Sequence, residues 1–204
     1  NVVSNENFGF MVSETGAGTT WNGNSREHRL TPWANDPLLD PLSEAFYLRD
    51  EATGGFGSIL PKPSPAGAYE NHVGWGYSTW RARLLDLDVE TTVFVPRTDP
   101  LKITRVRLVN PGDSPRRVSL FSFYRLILGG ESAETTPHIH TGLDDESGAV
   151  FARHLMSPNS DCRAFAAVAG LESTPVHVTT DRRTFLGDAD DLSRPEVVTS
   201  RHSL

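Results

Sequence analysis

The 204-residue sequence contains a single cysteine, Cys162, and no apolar run near the roughly 20 residues that a transmembrane helix requires. One thiol excludes an internal disulfide framework and is typical of a reducing compartment, so we expect a cytoplasmic protein. Basic residues number 19 against 26 acidic ones, and the arginines are scattered rather than clustered. The sequence therefore lacks the basic stripe of a nucleic-acid-binding protein and the polybasic block of a membrane-surface protein. We expect neither nucleic-acid binding nor direct membrane contact.

Helix signals are also lacking, and the regular patterns that are present have the period of two residues that strands produce. The clearest pattern covers residues 84–95, where Leu85, Leu87, Val89 and the following odd positions are apolar or threonine. Residues 101–110 and 118–128 predict further strands, separated by a Pro- and Gly-containing turn at 110–115. Since residues 118–128 are apolar at both parities, we expect that strand to be covered on both faces.

Shorter runs extend this all-β interpretation to a single β-sandwich domain over residues 1–204. We predict strands at 149–156, 163–169 and 176–180, with Cys162 buried just before an alanine-rich strand. Residues 1–80 hold all four tryptophans but show little periodicity, so we expect mainly loops there. Residues 181–204 are charged and contain proline, which is typical of a terminal loop or the approach to a following domain.

Residues 19–51 hold the densest polar and aromatic segment, which runs from Thr19 to Pro37 and is the strongest candidate for function. Aromatic faces stack on the C–H faces of sugar rings, while carboxylates, amides and arginines form forked hydrogen bonds with hydroxyls. The alternative is a network internal to the loop, in which Arg26 pairs with Glu27 or Asp36 and touches no ligand. The candidate residues of this segment, for a substrate rim or a domain interface, are Asn24, Ser25, Arg26, Glu27, Arg29, Trp33 and Asp36.

Two further candidates carry weaker signals. Arg49 and Asp50 precede Glu51 at a strand end, but adjacent acids on an extended chain point to opposite faces and would not flank one glycosidic bond. An ion pair between Arg49 or Arg26 and one of these acids is the simpler interpretation. His138 and His140 have the spacing of metal ligands, yet no third ligand is evident, so we predict no metal there.

Several motifs of the sequence are familiar as a set. They are Asn7-Phe8-Gly9-Phe10-Met11-Val12-Ser13-Glu14, Trp21-Asn22-Gly23-Asn24-Ser25-Arg26-Glu27, Arg29-Leu30-Thr31-Pro32-Trp33, Asn35-Asp36-Pro37, Tyr47-Leu48-Arg49-Asp50-Glu51 and Thr92-Val93-Phe94-Val95-Pro96. These motifs resemble the sandwich domain of the inverting glycoside phosphorylases, the family of cellobiose and chitobiose phosphorylase. The resemblance covers nearly the whole chain and is strongest for the version in the C-terminal part of cyclic β-1,2-glucan synthase.

This resemblance implies a large antiparallel super-β-sandwich, similar to galactose mutarotase, that precedes an (α/α)6 barrel in the same polypeptide. In the family the barrel supplies the general-acid aspartate, and inorganic phosphate is the co-substrate rather than a cofactor. The chain would then be a fragment without that barrel and without a catalytic residue of its own. The resemblance further implies support of the barrel, a possible homodimer, contact with a β-glucan at the rim, and a parent that other segments could anchor in the bacterial inner membrane.

Two other functions fit a sandwich, because this architecture hosts many activities. A free-standing carbohydrate-binding module would present several coplanar aromatic rings on one exposed face. A mutarotase-like enzyme would need a His–Glu pair in the sandwich groove, with His138 or His140 as the histidine.

Overall fold

A computed structural model describes residues 1–157, 161–170 and 176–200 of the chain, and its regular structure is almost entirely antiparallel β-sheet. No helix in these ranges is long and apolar enough to cross a lipid bilayer. The helical turns are α1 (Ser132–Thr135), a 3₁₀ turn (Thr136–His138), α2 (Arg182–Leu186) and α3 (Glu196–Thr199). The strands are β1 (Val2–Ser4), β2 (Phe8–Val12), β3 (Gly18–Asn22), β4 (Glu44–Asp50), β5 (Phe56–Ser58), β6 (Tyr69–Gly74), β7 (Tyr77–Leu84), β8 (Leu87–Phe94), β9 (Ile103–Val109), β10 (Val118–Tyr124), β11 (Ile139–Leu143), β12 (Val150–His154) and β13 (Ala164–Ala166).

The described strands form four sheets, in the orders β1-β2-β3, β10-β4-β5, β6-β7-β8-β9 and β11-β12-β13. Strand β4 pairs with β10 along its whole length, from Glu44 opposite Tyr124 to Asp50 opposite Val118. This pairing joins two segments that are far apart in sequence. The predicted all-β, antiparallel fold class is confirmed.

The main core is built mostly from residues of β1, β2, β4, β7 and β8. Trp80 is 1% exposed at its centre, and its indole N–H donates to the carbonyl of Glu14 at 2.8 Å, which satisfies the one polar atom of that ring. The alternation predicted for β8 is confirmed, since Leu87, Val89 and Val93 are all buried. The other buried members are Val3, Phe10, Val12, Phe46, Leu48, Ile59, Leu60 and Leu84.

A second core covers the opposite face of β4, where the C-terminal segment returns to the sheet. Tyr47 donates to the carbonyl of Leu192 at 2.7 Å, and burial raises the pKa of its phenol. Phe185 packs 5.4 Å from Phe123 of β10, ring centre to ring centre. The remaining buried members are Ala45, Leu186, Val197 and Val198. Residues 181–200 are therefore part of the folded domain, while Arg201–Leu204 lie outside the described residues.

The strand predicted at residues 84–95 is two strands joined by a tight turn. Leu85 and Asp86 have φ of 51° and 62°, and Leu84 pairs directly with Leu87. Two consecutive residues at positive φ are typical of the type I′ hairpin turn. The apolar periodicity is right for β8, but the chain reverses direction inside the predicted strand.

Strand β10 departs from its predicted burial. Only Phe123 is buried there, whereas Leu120 is 44% and Tyr124 38% exposed. The prediction of cover on both faces holds only in part. Val118 packs against the main core and Phe121 against the second, but Leu120 and Tyr124, on the same side as Val118, stay more than a third exposed.

Residues 1–80 contain β1 to β6 and the start of β7, but more than half of them lie outside strands, as the prediction of mainly loops requires. Two smaller predictions are corrected. The strand predicted at 176–180 is absent from that described stretch, and Cys162 is exposed rather than buried. Predicted strands at 101–110, 149–156 and 163–169 are present in shorter form as β9, β12 and β13.

Candidate functional site

The candidate segment starts within β3 and continues into a turn that its own asparagine closes. The Oδ1 atom of Asn24 accepts from the backbone N–H groups of Arg26 and Glu27 at 2.8 and 3.0 Å. His28 donates its backbone N–H to the Asn24 carbonyl at 3.0 Å. Asparagine side chains commonly close turns in this way. Residues 24–28 therefore project as one compact turn beyond the sheet, with Ser25 exposed within it.

Arg29 fixes this turn to the body of the domain. Its backbone forms bridges with Trp21 on one side and Gly129 on the other. Its guanidinium donates to the carbonyls of Ser25 and Gly130 at 3.0 and 3.1 Å. The side chain predicted to face a ligand thus holds the base of the turn in place.

Arg26 and Glu27 remain in solvent at the tip of the turn. Their closest charged atoms are 3.3 Å apart, and the side chains are 86% and 62% exposed. Asp36 does not join them, because its Oδ1 atom accepts from the N–H groups of Leu38 and Leu39 at 3.0 Å. The Arg26–Glu27 ion pair that sequence analysis considered does form, but as an exposed pair rather than a buried network.

Trp33 follows the turn and is 43% exposed. The guanidinium carbon of Arg29 lies 5.7 Å from the centre of its ring, within the range of a cation–π contact. Trp33 also lines a shallow depression of about 240 Å³ together with Ser13 and Asp40. Sequence reasoning missed Ser13 and Asp40, because no local motif links Ser13 to a residue 27 positions away.

Arg49 and Asp50 lie away from this turn, near the other end of β4. Glu44 at the first end accepts from Thr20, which is beside the turn segment, at 3.1 Å. Arg49 lies five residues beyond Glu44 on the same strand, which corresponds to about 17 Å along β4. The structure therefore groups Asn24, Ser25, Arg26, Glu27, Arg29 and Trp33, with Asp36 in the next turn, but not Arg49 or Asp50.

The two distant candidates are engaged inside the domain. Arg49 forms an ion pair with Glu51 at 2.8 Å, which lowers the pKa of that carboxyl through its hydrogen bond, as the simpler sequence interpretation predicted. Asp50 is 2% exposed and bound by Arg116, and that contact holds its pKa at about 2. Both carboxylates are thus held in their charged form.

The histidines predicted not to bind metal lie near the β11–β12 hairpin. His138 ends the 3₁₀ turn with its ring 5.9 Å from that of His154, and His140 pairs with Arg153 across the strands. Among the described residues no three His, Cys, Asp or Glu side chains are placed to hold a metal ion.

A model of the supersandwich domain of glycosyl hydrolase 94 matches residues 1–204. The chain belongs to this family. The resemblance drawn from the Asn7–Glu14 and Trp21–Glu27 motifs is thereby confirmed.

Curated relatives of this supersandwich domain are much longer proteins. The chain is 31% identical over 206 residues to the cyclic beta-(1,2)-glucan synthase NdvB of Rhizobium meliloti (strain 1021), covering 98% of the chain and 7% of that protein. It is 33% identical over 132 residues to the 3-O-beta-D-glucopyranosyl-beta-D-glucuronide phosphorylase of Paenibacillus borealis, covering 64% of the chain and 16% of that protein. Over 142 residues it is 25% identical to the N,N'-diacetylchitobiose phosphorylase of Vibrio furnissii, covering 68% and 18%.

The supersandwich domain thus spans less than a fifth of the length of each of these three relatives. In them it is one part of a larger polypeptide, which supports a non-catalytic role beside a linked catalytic domain.

Proposed function

We propose that this supersandwich domain supports the catalytic (α/α)6 barrel of a β-glucan-processing enzyme, and that its turn at residues 24–28 edges the glucan path. The observation that carries the proposal is the contrast within one segment. Arg29 anchors the turn through its backbone and guanidinium, whereas Arg26 and Glu27 stay in solvent. A base fixed to the domain, with an exposed ion pair at its tip, is suited to contact with a second body.

The carboxylates support a non-catalytic role for the chain itself. A general acid for glycosidic cleavage needs a raised pKa, so that it carries a proton near neutral pH. Among the described residues, every carboxyl with a shifted pKa is shifted downwards: Asp50, Glu51, Asp144, Asp181, Asp190 and Asp191. We therefore assign the acid to the barrel, with inorganic phosphate as co-substrate of the whole enzyme.

The chemistry of the turn fits a sugar or a polar protein surface. Arginine and glutamate at its tip offer charge-assisted hydrogen bonds to hydroxyl groups. The relatives include a cyclic beta-(1,2)-glucan synthase and an N,N'-diacetylchitobiose phosphorylase, which favours a β-glucan as the substrate of the whole protein. Homodimerisation is part of the same proposal.

The exposed thiol of Cys162 supports a cytoplasmic location for the domain. An accessible free cysteine persists in a reducing compartment and is oxidised more readily elsewhere.

The test is Arg26→Ala in the full-length enzyme. We expect kcat/KM on β-glucan to fall about tenfold, equivalent to about 1.4 kcal/mol, with little change in the melting temperature of the domain. The matched control is Arg83→Ala, which removes another exposed ion pair, that of Arg83 with Asp88 at 3.2 Å, from the β7–β8 hairpin. Unchanged turnover in Arg26→Ala, or an equal fall in Arg83→Ala, would contradict the proposal.

A further inference from the structure

The depression beside Trp33 combines an aromatic wall with polar groups. Its lining includes Trp33 and Ala34 from the candidate segment, Ser13 and Gly18 from the β2–β3 hairpin, and Asp40. These residues come from three separate stretches of chain that the fold brings together. Its volume of about 240 Å³ is below the roughly 300–1,000 Å³ of sites for drug-sized ligands. The space therefore suits a small ligand unit.

The indole of Trp33 is only partly used by the protein. Arg29 contacts its ring at 5.7 Å but does not line the depression. Because 43% of the residue is exposed and Trp33 lines the depression, ring surface remains available there. Its indole N–H donates to no other residue of ranges 1–157, 161–170 and 176–200, so one hydrogen-bond donor is also free.

Neighbouring side chains hold one of the two carboxylate oxygens of Asp40, which fixes the orientation of the group. Its Oδ2 atom accepts from the hydroxyls of Ser13, at 2.9 Å, and Thr15, and lies 3.7 Å from the Lys62 ammonium. Lys62 is itself occupied by the carbonyls of Leu39 and Asp40 at 2.7 and 2.9 Å. Asp40 has φ of 42°, a left-handed conformation that aspartate tolerates better than most residues.

The second carboxylate oxygen of Asp40 is left without a protein donor in the described part of the chain. A fixed acceptor of this kind is suited to a hydroxyl donor of a ligand. Because the acceptor is negatively charged and Lys62 is already bound, phosphate and other anions are disfavoured. A divalent cation is disfavoured as well, since the site has only one carboxylate.

We propose that this depression binds one glucosyl ring of a β-glucan, with the C–H face of the sugar on Trp33 and a hydroxyl donating to Asp40. A neutral ligand with an apolar face and several hydroxyls matches the aromatic wall, and it matches the indole N–H and the carboxylate oxygen that have no protein partner among the described residues. The inference deepens the proposed function and rests on it, because it supplies the glucan contact that the neighbouring turn would border.

The test uses the full-length enzyme labelled with fluorotryptophan, with a linear β-(1,2)-linked glucan oligosaccharide as the probe. Fluorine NMR signals of Trp33 and Trp75 are assigned with Trp33→Phe and Trp75→Phe. Trp75 is the internal control, because it is fully exposed and does not line the depression. We expect the Trp33 signal to shift saturably with the oligosaccharide, while the Trp75 signal stays in place.

Asp40→Asn provides the second measurement. Ser13 and Thr15 both donate, so they retain the amide oxygen and the free position becomes an NH₂ group that cannot accept. We expect the dissociation constant reported by Trp33 to rise about tenfold. The control Asp88→Asn, on the exposed surface of β8, should leave it unchanged.

The outcomes separate this inference from the proposed function. Normal β-glucan turnover with no Trp33 shift overturns the inference and leaves the proposed function standing. A Trp33 shift without any β-glucan turnover supports the sugar site and overturns the proposed function. Equal shifts of Trp33 and Trp75, or an equal response to an α-linked glucan, would show general adsorption and overturn the inference.

Discussion

Arg116 donates two hydrogen bonds to the Oδ2 atom of Asp50, while Oδ1 of the same carboxylate caps the turn after β4. The Nε contact is 3.1 Å, and the N–H groups of Ala52 and Thr53 each lie 2.8 Å from Oδ1. Arg116 also donates to the carbonyl of Leu85 at 2.8 Å, in the β7–β8 turn. One carboxylate therefore joins two hairpin turns through a single arginine.

The Asp50 contact predicts a stability contribution that depends on pH. Its folded pKa of about 2 lies below the roughly 3.9 of an unfolded aspartate. A carboxyl whose pKa is lower in the folded state stabilises the fold in full when the pH is above its unfolded pKa. This contribution is lost as the pH falls from about 4 to 2. Denaturant unfolding of wild type and Asp50→Asn should therefore differ at pH 7 and converge near pH 2. A difference that is constant across this range would contradict the prediction.

Replacing Arg49 should destabilise the fold, whereas replacing Arg26 should not. Its guanidinium donates to the carbonyls of Val197, Val198 and Ser200 and pairs with Glu51, with only 8% of the side chain exposed. We expect Arg49→Met to lower the free energy of unfolding by about 3 kcal/mol, because these acceptors lose a charged donor. Arg26→Ala, at the exposed tip, should change it by no more than about 0.5 kcal/mol. Equal effects in chemical denaturation would refute this assignment.

Leu186 tests whether the C-terminal segment belongs to the fold. It is 1% exposed in the second core, so Leu186→Ala should cost about 2–5 kcal/mol of unfolding free energy. Leu38→Ala is the matched control, since Leu38 is 93% exposed. If the two variants melt alike, residues 181–200 do not pack as described.

The isolated chain should not cleave β-linked disaccharides. Among the described residues, every carboxyl with a shifted pKa has that pKa lowered, which keeps it charged rather than protonated near neutral pH. Incubation of pure chain with inorganic phosphate and β-linked glucose disaccharides should release no sugar 1-phosphate. Sustained release would overturn the assignment of catalysis to a separate domain.

The sequence predicted β8 well because a strand with one buried face leaves a period of two in its side chains. It missed the hairpin at Leu85 and Asp86 because neither residue is glycine, and Leu85 continues the apolar alternation through the turn. The helices α2 and α3 were missed because five and four residues are too few to show helical periodicity. In residues 1–80, buried hydroxyl residues such as Thr19, Ser58 and Ser78 hide the strands from hydrophobicity patterns.

For the candidate site, the sequence indicated the turn at residues 24–28 and Trp33 because their residue types are concentrated locally. Exposure could not be predicted in the same way. Arg26 and Arg49 look alike in sequence, yet one is in solvent and the other is buried by residues about 150 positions later. Asp40 was missed for the same reason, since its partners Ser13 and Lys62 come from separate parts of the chain.

The contact of Arg49 with the carbonyl of Val197 spans 148 residues, which sets an order of events during synthesis. At about 5–20 residues per second, a ribosome needs about 7 to 30 s to reach Val197 after it has added Arg49. Throughout that interval the face of β4 that carries Tyr47 has no C-terminal segment to cover it. The nascent domain therefore exposes an apolar sheet face until residues 181–200 emerge.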